Sequence, residues 1–218
     1  TELTSIDLSN FDTSNTKKMY GMFRYTNIEK LDLSNFNTSN VDSMANMFEK
    51  CPKLTSLNVK SFDTSKVGSF YRMFDTCSSL KSLDITNFKS DLVTEMGYMF
   101  LDCSSLTSLD ITNFNTSQVI AAYELFNGCS SLTSLDLSNF DLSNVFNSDH
   151  MFNGCSSLEY LKLSPKFKSS ILGFMSYMFY GCRSLKSLDL SFFDTSNILF
   201  MDHAFDGCES LTSLDFSN

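Results

Sequence analysis

The chain has 218 residues, 42% of them hydrophobic, with 25 acidic against 16 basic residues and a net charge of −9. That balance disfavours a general nucleic-acid or anionic-membrane binder, because contacts to phosphate need positive charge. No apolar run approaches the ~18 residues of a membrane span, and no signal peptide opens the chain.

One motif, LTSLDLSNF-DTSNV-xxM-xxMF-xGC-SS, fills the sequence. Its units start at Leu3, Ile28, Leu54, Leu80, Leu106, Leu132, Leu158 and Leu185, with a partial ninth at Leu211. The spacing is 26 residues apart from one step of 25 and one of 27. A period between roughly 20 and 50 residues is the signature of a stacked array. Residues 1–218 therefore read as a single repeat solenoid domain, without linker or compositional break. The chain begins and ends inside a repeat, and solenoids need polar caps. The expectation is a fragment of a longer protein, with native caps absent and any export signal or anchor outside it. Uncapped ends expose strand edges, so end-to-end self-association is expected at high concentration.

Within a unit the elements follow in order. Leu106, Leu109 and Ile111 give an L-x-x-L-x-L spacing, and the last two alternate with polar residues as in a short half-buried strand. A phenylalanine follows, as Phe36, Phe62, Phe88, Phe114 and Phe140, and stacked coils align these into a column. The polar turn DTSN offers natural helix N-caps. Apolar residues then fall at i, i+3, i+6 and i+7, as in Val93, Met96, Met99 and Phe100, which predicts a short helix with one inward stripe. Glycines such as Gly128, Gly154, Gly181 and Gly207 stand where a helix C-cap belongs. The fold class expected is α/β: about eight coils of 26 residues, each with one short strand and one short helix, and a parallel sheet on one face.

The MFxGCSSLxxLDLSNF junction resembles the BspA-like leucine-rich repeat surface proteins of bacteria. It is most similar to the variant with MF-x-x-C and LdlSnFdTSnV found in lipoproteins of wall-less bacteria and in wall-anchored proteins. The likeness covers essentially the whole chain. It implies a leucine-rich-repeat-like solenoid, export to the cell surface, and adhesion to a protein or glycan on a host or neighbouring cell. It supplies no active site. Unit seven departs from the pattern with one extra residue, LKLSPKFKSS, from Leu161 to Ser170.

Seven cysteines, Cys51, Cys77, Cys103, Cys129, Cys155, Cys182 and Cys208, hold one repeat position, where the first unit has Thr26. None has the C-x2-4-C spacing of a metal site. Disulfides between adjacent coils remain open on distance, but the count is odd. A buried thiol column filling a tight corner is the simpler reading.

The outward strand position reads Asp7, Asp32, Asn58, Asp84, Asp110, Asp136, Lys162, Asp189 and Asp215. Like charges about 4.8 Å apart repel, so flanking hydroxyls, a bridging calcium ion or a bound partner must offset them. Unit seven breaks the ladder with Tyr160 and Lys162, and Pro165, Lys166 and Lys168 crowd its next turn. The partner-binding strip expected is Asp84, Asp110, Asp136, Tyr160, Lys162, Lys166 and Asp189. Drift in one tolerant repeat is the bland alternative. His150 and His203 share one position two coils apart, and helix packing of about 8–10 Å per step keeps them from sharing a proton or metal. No catalytic residue, metal site or cofactor is assigned. The function expected is a non-enzymatic, extracellular binding module, anchored by regions outside this chain. A structural spacer or variable coat, and a calcium-binding repeat, are the alternatives.

Overall fold

The computed structural model describes residues 2–167 and 171–215, so Lys168 lies outside the described residues. Each repeat forms one coil, and successive coils stack with equivalent residues in register. Six short strands mark one side: β1 (Lys30–Asp32), β2 (Ser56–Asn58), β3 (Ser134–Leu137), β4 (Tyr160–Leu163), β5 (Ser187–Asp189) and β6 (Ser213–Asp215). They pair in parallel as β1–β2, β3–β4 and β5–β6, with Leu31 opposite Leu57, Leu135 opposite Leu161 and Leu188 opposite Leu214. The parallel sheet thus comes in two-stranded pieces. Coils one, four and five form no strand among the described residues, although the Thr107 N–H still reaches the Lys81 carbonyl at 3.2 Å.

The helices predicted from the sequence do not form. Among the described residues there is no α-helix, only a 3-10 turn at Pro165–Phe167. The segment after DTSN is instead a chain of β-turns, and its backbone shows why. In coil three, Met73, Asp75 and Cys77 donate to the carbonyls of Phe70, Arg72 and Phe74, three residues back, at 3.0–3.3 Å. Between them, Phe70, Arg72, Phe74 and Thr76 donate to Glu95, Gly97, Met99 and Leu101 of the next coil at 2.7–3.1 Å. Tyr71 donates to the Ser69 hydroxyl at 3.1 Å. Every N–H from Phe70 to Cys77 is therefore satisfied, as burial of backbone requires. An eight-residue helix is marginal by itself, and its internal bonds would leave nothing to join neighbouring coils.

This arrangement needs positive φ at the third residue of alternate turns, the type II signature. Arg72 has φ 53° and Thr76 φ 58°, and they are two of eleven non-glycine residues with this left-handed conformation among the described residues. The second such position is taken by glycine in the later coils. Gly128 has φ +75°, and a Cβ there would lie 2.1 Å from the Asp102 Oδ1. These glycines are turn residues, not helix caps. The polar turn likewise caps no helix. Its Thr Oγ1 clips one coil to the next: Thr38, Thr64 and Thr116 donate to the carbonyls of Asp63, Lys89 and Asp141 at 2.7–3.0 Å. Each accepts the N–H of the same residue at 2.7 Å.

Two files of rings run through the core. Phe11, Phe36, Phe62 and Phe88 stack with centroids 6.3–6.5 Å apart. Phe70 then inserts between Phe88 and Phe114, 5.7 and 6.0 Å from them. The second file, from Phe23 through Phe48, Phe74, Phe100, Phe126, Phe152 and Phe179 to Phe205, is unbroken at 5.4–5.7 Å. Beside it the thiols run in line, all seven free. Cys77, Cys103, Cys129, Cys155 and Cys182 each donate to the carbonyl of a file phenylalanine in the preceding coil at 3.2 Å. Thr26, at this position in coil one, donates instead within its own coil to the Phe23 carbonyl at 2.9 Å, which also accepts from Cys51 at 3.0 Å. Burial pushes the Cys77, Cys103, Cys129 and Cys155 thiols well above their ordinary range.

Two outcomes follow from these contacts. Replacing Thr116 by valine keeps the volume but strands the half-buried Asp141 N–H and carbonyl. It is expected to cost about 1–3 kcal/mol, read as a lower midpoint in urea denaturation. The native protein is expected to give a thiol reagent about one equivalent readily, from the half-buried Cys208. The other thiols should react only on unfolding, because the thiolate is the reactive form.

Candidate binding face on the outer strands

The outward strand residues of successive coils form a shallow trough. A depression of about 350 Å³ is lined by Ser134, Asp136, Tyr160, Leu161, Lys162 and Ser187. It adjoins a second of about 310 Å³ that shares Ser134 and Asp136 and adds Ser108, Asp110 and Thr112. The trough floor comes from the partly buried leucines of the strands, and its rails are the hydroxyls and carboxylates beside them.

The acidic rail is satisfied locally. Each carboxylate folds onto the backbone two residues on, in the turn that Asp forms with its own chain. The Oδ1 of Asp32, Asp136 and Asp189 accepts the N–H of Ser34, Ser138 and Ser191 at 2.8–3.0 Å. Asp84 and Asp110 take both the N–H and the hydroxyl of Thr86 and Thr112, the hydroxyls at 2.7 Å. Side-chain and backbone hydrogen bonds from Thr86, Thr112, Ser138 and Ser191 hold Asp84, Asp110, Asp136 and Asp189 below the usual carboxylate range. Lys60 adds an ion pair to Asp84 at 3.3 Å, and Asn58 donates to Asp32 at 2.9 Å. Hydroxyls and lysines thus provide the offset to repulsion that the sequence demands. Among the described residues, no three His, Cys, Asp or Glu side chains converge on a metal position.

Coil seven changes the chemistry of the trough. Its strand β4 sets Lys162 directly opposite Asp136, and their charges pair at 3.2 Å. Tyr160 replaces the small serine at its position and is 61% exposed. Lys186 of coil eight sits over the Tyr160 ring, 5.0 Å from its centroid, and is held there by Glu159 at 2.5 Å. Tyr160, Lys162 and Lys186 therefore form an aromatic and cationic knot in an acidic rail. Lys166 lies apart from it, 4.0 Å from Asp141 at the following turn. The sequence reading missed Glu159 and Lys186, which stand where coils one, three, five and six carry threonine and coils two and four carry Glu29 and Lys81. Opposite charges at one repeat position in consecutive coils were the available signal.

The two histidines sit on the turn side. Their neighbours are closer than helix packing allows, because coils and not helices stack: His150 lies 4.8 Å from Tyr177, and Tyr177 lies 4.9 Å from His203. The Tyr177 ring stands between them, so they still do not meet. His150 contacts Asn153 and His203 contacts Asp206, each three residues along the same turn. The same turn-spanning pairing joins Arg72 to Asp75 and Asn127 to Glu124.

The pH response of the rail has a definite sign. Carboxylates held below their unfolded values bind protons less readily when folded, so their stabilising effect is complete above the ordinary range near 4. It is lost as pH falls through the lowered folded values. Thermal stability is expected to be flat from neutral pH to about 5 and to fall below 4. An Asp84→Asn, Asp110→Asn variant should show a shallower fall in melts across that range.

Among curated proteins, none matches the chain. Among solved structures, a leucine-rich repeat protein from Eubacterium ventriosum is similar over 99% of this chain and 73% of its own, at 17% identity and a TM-score of 0.45. A leucine-rich repeat protein from Bacteroides ovatus is similar over 80% of this chain and 52% of its own, at 18% identity and a TM-score of 0.35. No helix among the described residues is long and apolar enough to cross a membrane. One family model matches three times in overlapping stretches, over residues 1–84, 53–165 and 123–218, and the chain thereby belongs to the family described as Mycoplasma protein of unknown function, DUF285.

Proposed function

We propose that the chain is a non-enzymatic binding module that holds a protein or glycan partner on the strand-side trough, with its anchor points at Tyr160 and Lys162. The observation that carries this is the knot in coil seven. A tyrosine that spends 61% of its area in solvent, between two lysines, does nothing for the core beneath it. Leu161 and Leu163 make the inward contacts of the same strand. Tyrosine and cationic side chains with fixed neighbours are favoured interface anchors, since little rotamer freedom is lost on binding. Asp84, Asp110, Asp136 and Asp189 extend the same rail and give the partner a charge pattern to match. The resemblance to bacterial surface repeat proteins supports a module that works outside the cell, in adhesion.

A binding panel tests this. The protein is exposed to extracellular-matrix proteins, cell-surface proteins and glycans at physiological salt, beside a Tyr160→Ser, Lys162→Asp variant. That variant restores the residues other coils carry, Ser134 with Asp136 and Ser187 with Asp189, so the fold is expected to hold. Saturable binding weakened at least about 30-fold, the weight of one ~2 kcal/mol anchor, is the expected result. Undiminished binding by the variant would move the site off coil seven, and no binding to any member would favour a spacer.

A further inference from the structure

A second surface lies on a different side of the coils. Just after the inward position that is valine in coils two to six stands one that is polar or small in coils one to four: Lys17, Asp42, Gly68 and Thr94. In coils five to eight it becomes Ile120, Phe146, Gly173 and Leu199. The backbone at this position is stacked. Asp42, Gly68, Thr94 and Ile120 each donate to the equivalent carbonyl of the coil before, as do Gly173 and Leu199, at 2.8–3.1 Å. The side chains therefore form a straight row with a step of about 4.8 Å.

The row is exposed without serving the core. Ile120 is 56%, Phe146 48% and Leu199 68% exposed, while the adjacent Val119, Val145 and Leu172 are buried. Coil seven leaves no gap. The Phe146 ring lies over Gly173, where a Cβ would come within 2.9 Å of it. Exposed Ile171 widens the row on one side. Coils one to four show that the fold accepts Lys, Asp, Gly or Thr here, so the change to large apolar residues has a cause outside the fold. The patch amounts to roughly 400 Å², in the range where exposed apolar surface is often functional.

We propose that this row is the contact through which two copies of the chain pair side by side and antiparallel. Two features select a second copy as the occupant. First, a row with one side chain per coil is matched in register only by a surface of the same step, and another copy has that step. An antiparallel two-fold between coils six and seven sets Ile120 of one copy against Leu199 of the other. The two Phe146 rings, each leaning from coil six over coil seven, then meet at the axis. Second, a chain with a net charge of −9 pairs with itself only where charge is withdrawn. Beside the row, Gln118, Ala121, Asn144, Asn147 and Asn197 are all uncharged, whereas Lys18 and Lys66 stand at the same flanking positions in coils one and three, and Lys17 and Asp42 in the row itself. The small area puts such a pair among weak interfaces.

Sedimentation analysis of the whole chain from about 1 to 100 µM, the span of a weak interface, reads this out. The wild type is expected to move from monomer to dimer. Ile120→Glu and Leu199→Lys, each alone, should weaken pairing at least about 10-fold by burying a charge unpaired. The fold should be unchanged, as Asp42 and Lys17 already show for charges at this position. Both substitutions in one chain should restore the dimer, because opposite charges then face each other across the axis. A wild type that stays monomeric, or a dimer indifferent to either single change, as an end-to-end contact would be, overturns the proposal. Failure of the double variant to recover pairing overturns the antiparallel register.

Discussion

The hydrogen bonding of one coil's backbone to the next, at the same repeat position, is the constraint on which the rest depends. In the turn segment of coil three, alternate N–H groups point sideways to the following coil and the others close turns within their own. That division consumes the backbone bonds a helix would need. It also fixes the step between coils at strand spacing, and the core is arranged to suit that step. Phenylalanine rings stack at 5.4–5.7 Å along the unbroken file, close enough to touch face to face. The thiols beside them are small enough to fit between coils and still donate to a carbonyl. A larger residue there would force the coils apart and break the bonds that set the step.

Left-handed residues are the cost of this design. Outside glycine that conformation is unfavourable by about 1–2 kcal/mol per residue, yet Asn46, Lys50, Arg72, Thr76 and others adopt it. The N–H of each of these four donates to the next coil, and two of the side chains find a partner three residues along, Asn46 in Glu49 and Arg72 in Asp75 at 2.6 Å. Coil seven shows how the array absorbs an irregularity. Coil six carries Leu142 where coils one to five have the clipping hydroxyl of a threonine or of Ser90, and its N–H goes to the Lys166 carbonyl at 3.2 Å. The extra residue opposite is taken up by the 3-10 turn Pro165–Phe167, which returns Phe167 to the core beside Phe193 at 5.8 Å. The missing hydroxyl and the inserted residue face each other, so a single disruption accounts for both.

Because inward positions are so tightly specified, variation is confined to the outside. Both candidate surfaces are departures from an otherwise repeated exterior: the tyrosine and lysines of the strand-side trough, and the apolar row after the inward valine. Each sits on residues that the core does not use. A solenoid of this kind can change what it touches one coil at a time while leaving neighbouring coils in place.

Much of this was legible in the sequence. The period, the inward Leu, Met and Phe positions, the ring column and the line of thiols follow from residue type and spacing alone, since a residue's burial repeats with its position in the unit. The local carboxylate turns were foreshadowed by Asp followed two residues on by Ser or Thr. The choice between helix and turn was not legible. Val93, Met96, Met99 and Phe100 point inward in either conformation. What separates them is where the other N–H groups find acceptors, and those acceptors lie 25 or 26 residues away, on a coil that exists only once the chain has stacked. The placement of Lys186 over Tyr160 and of Phe146 over Gly173 was decided in the same way, by contacts between coils that no single repeat contains.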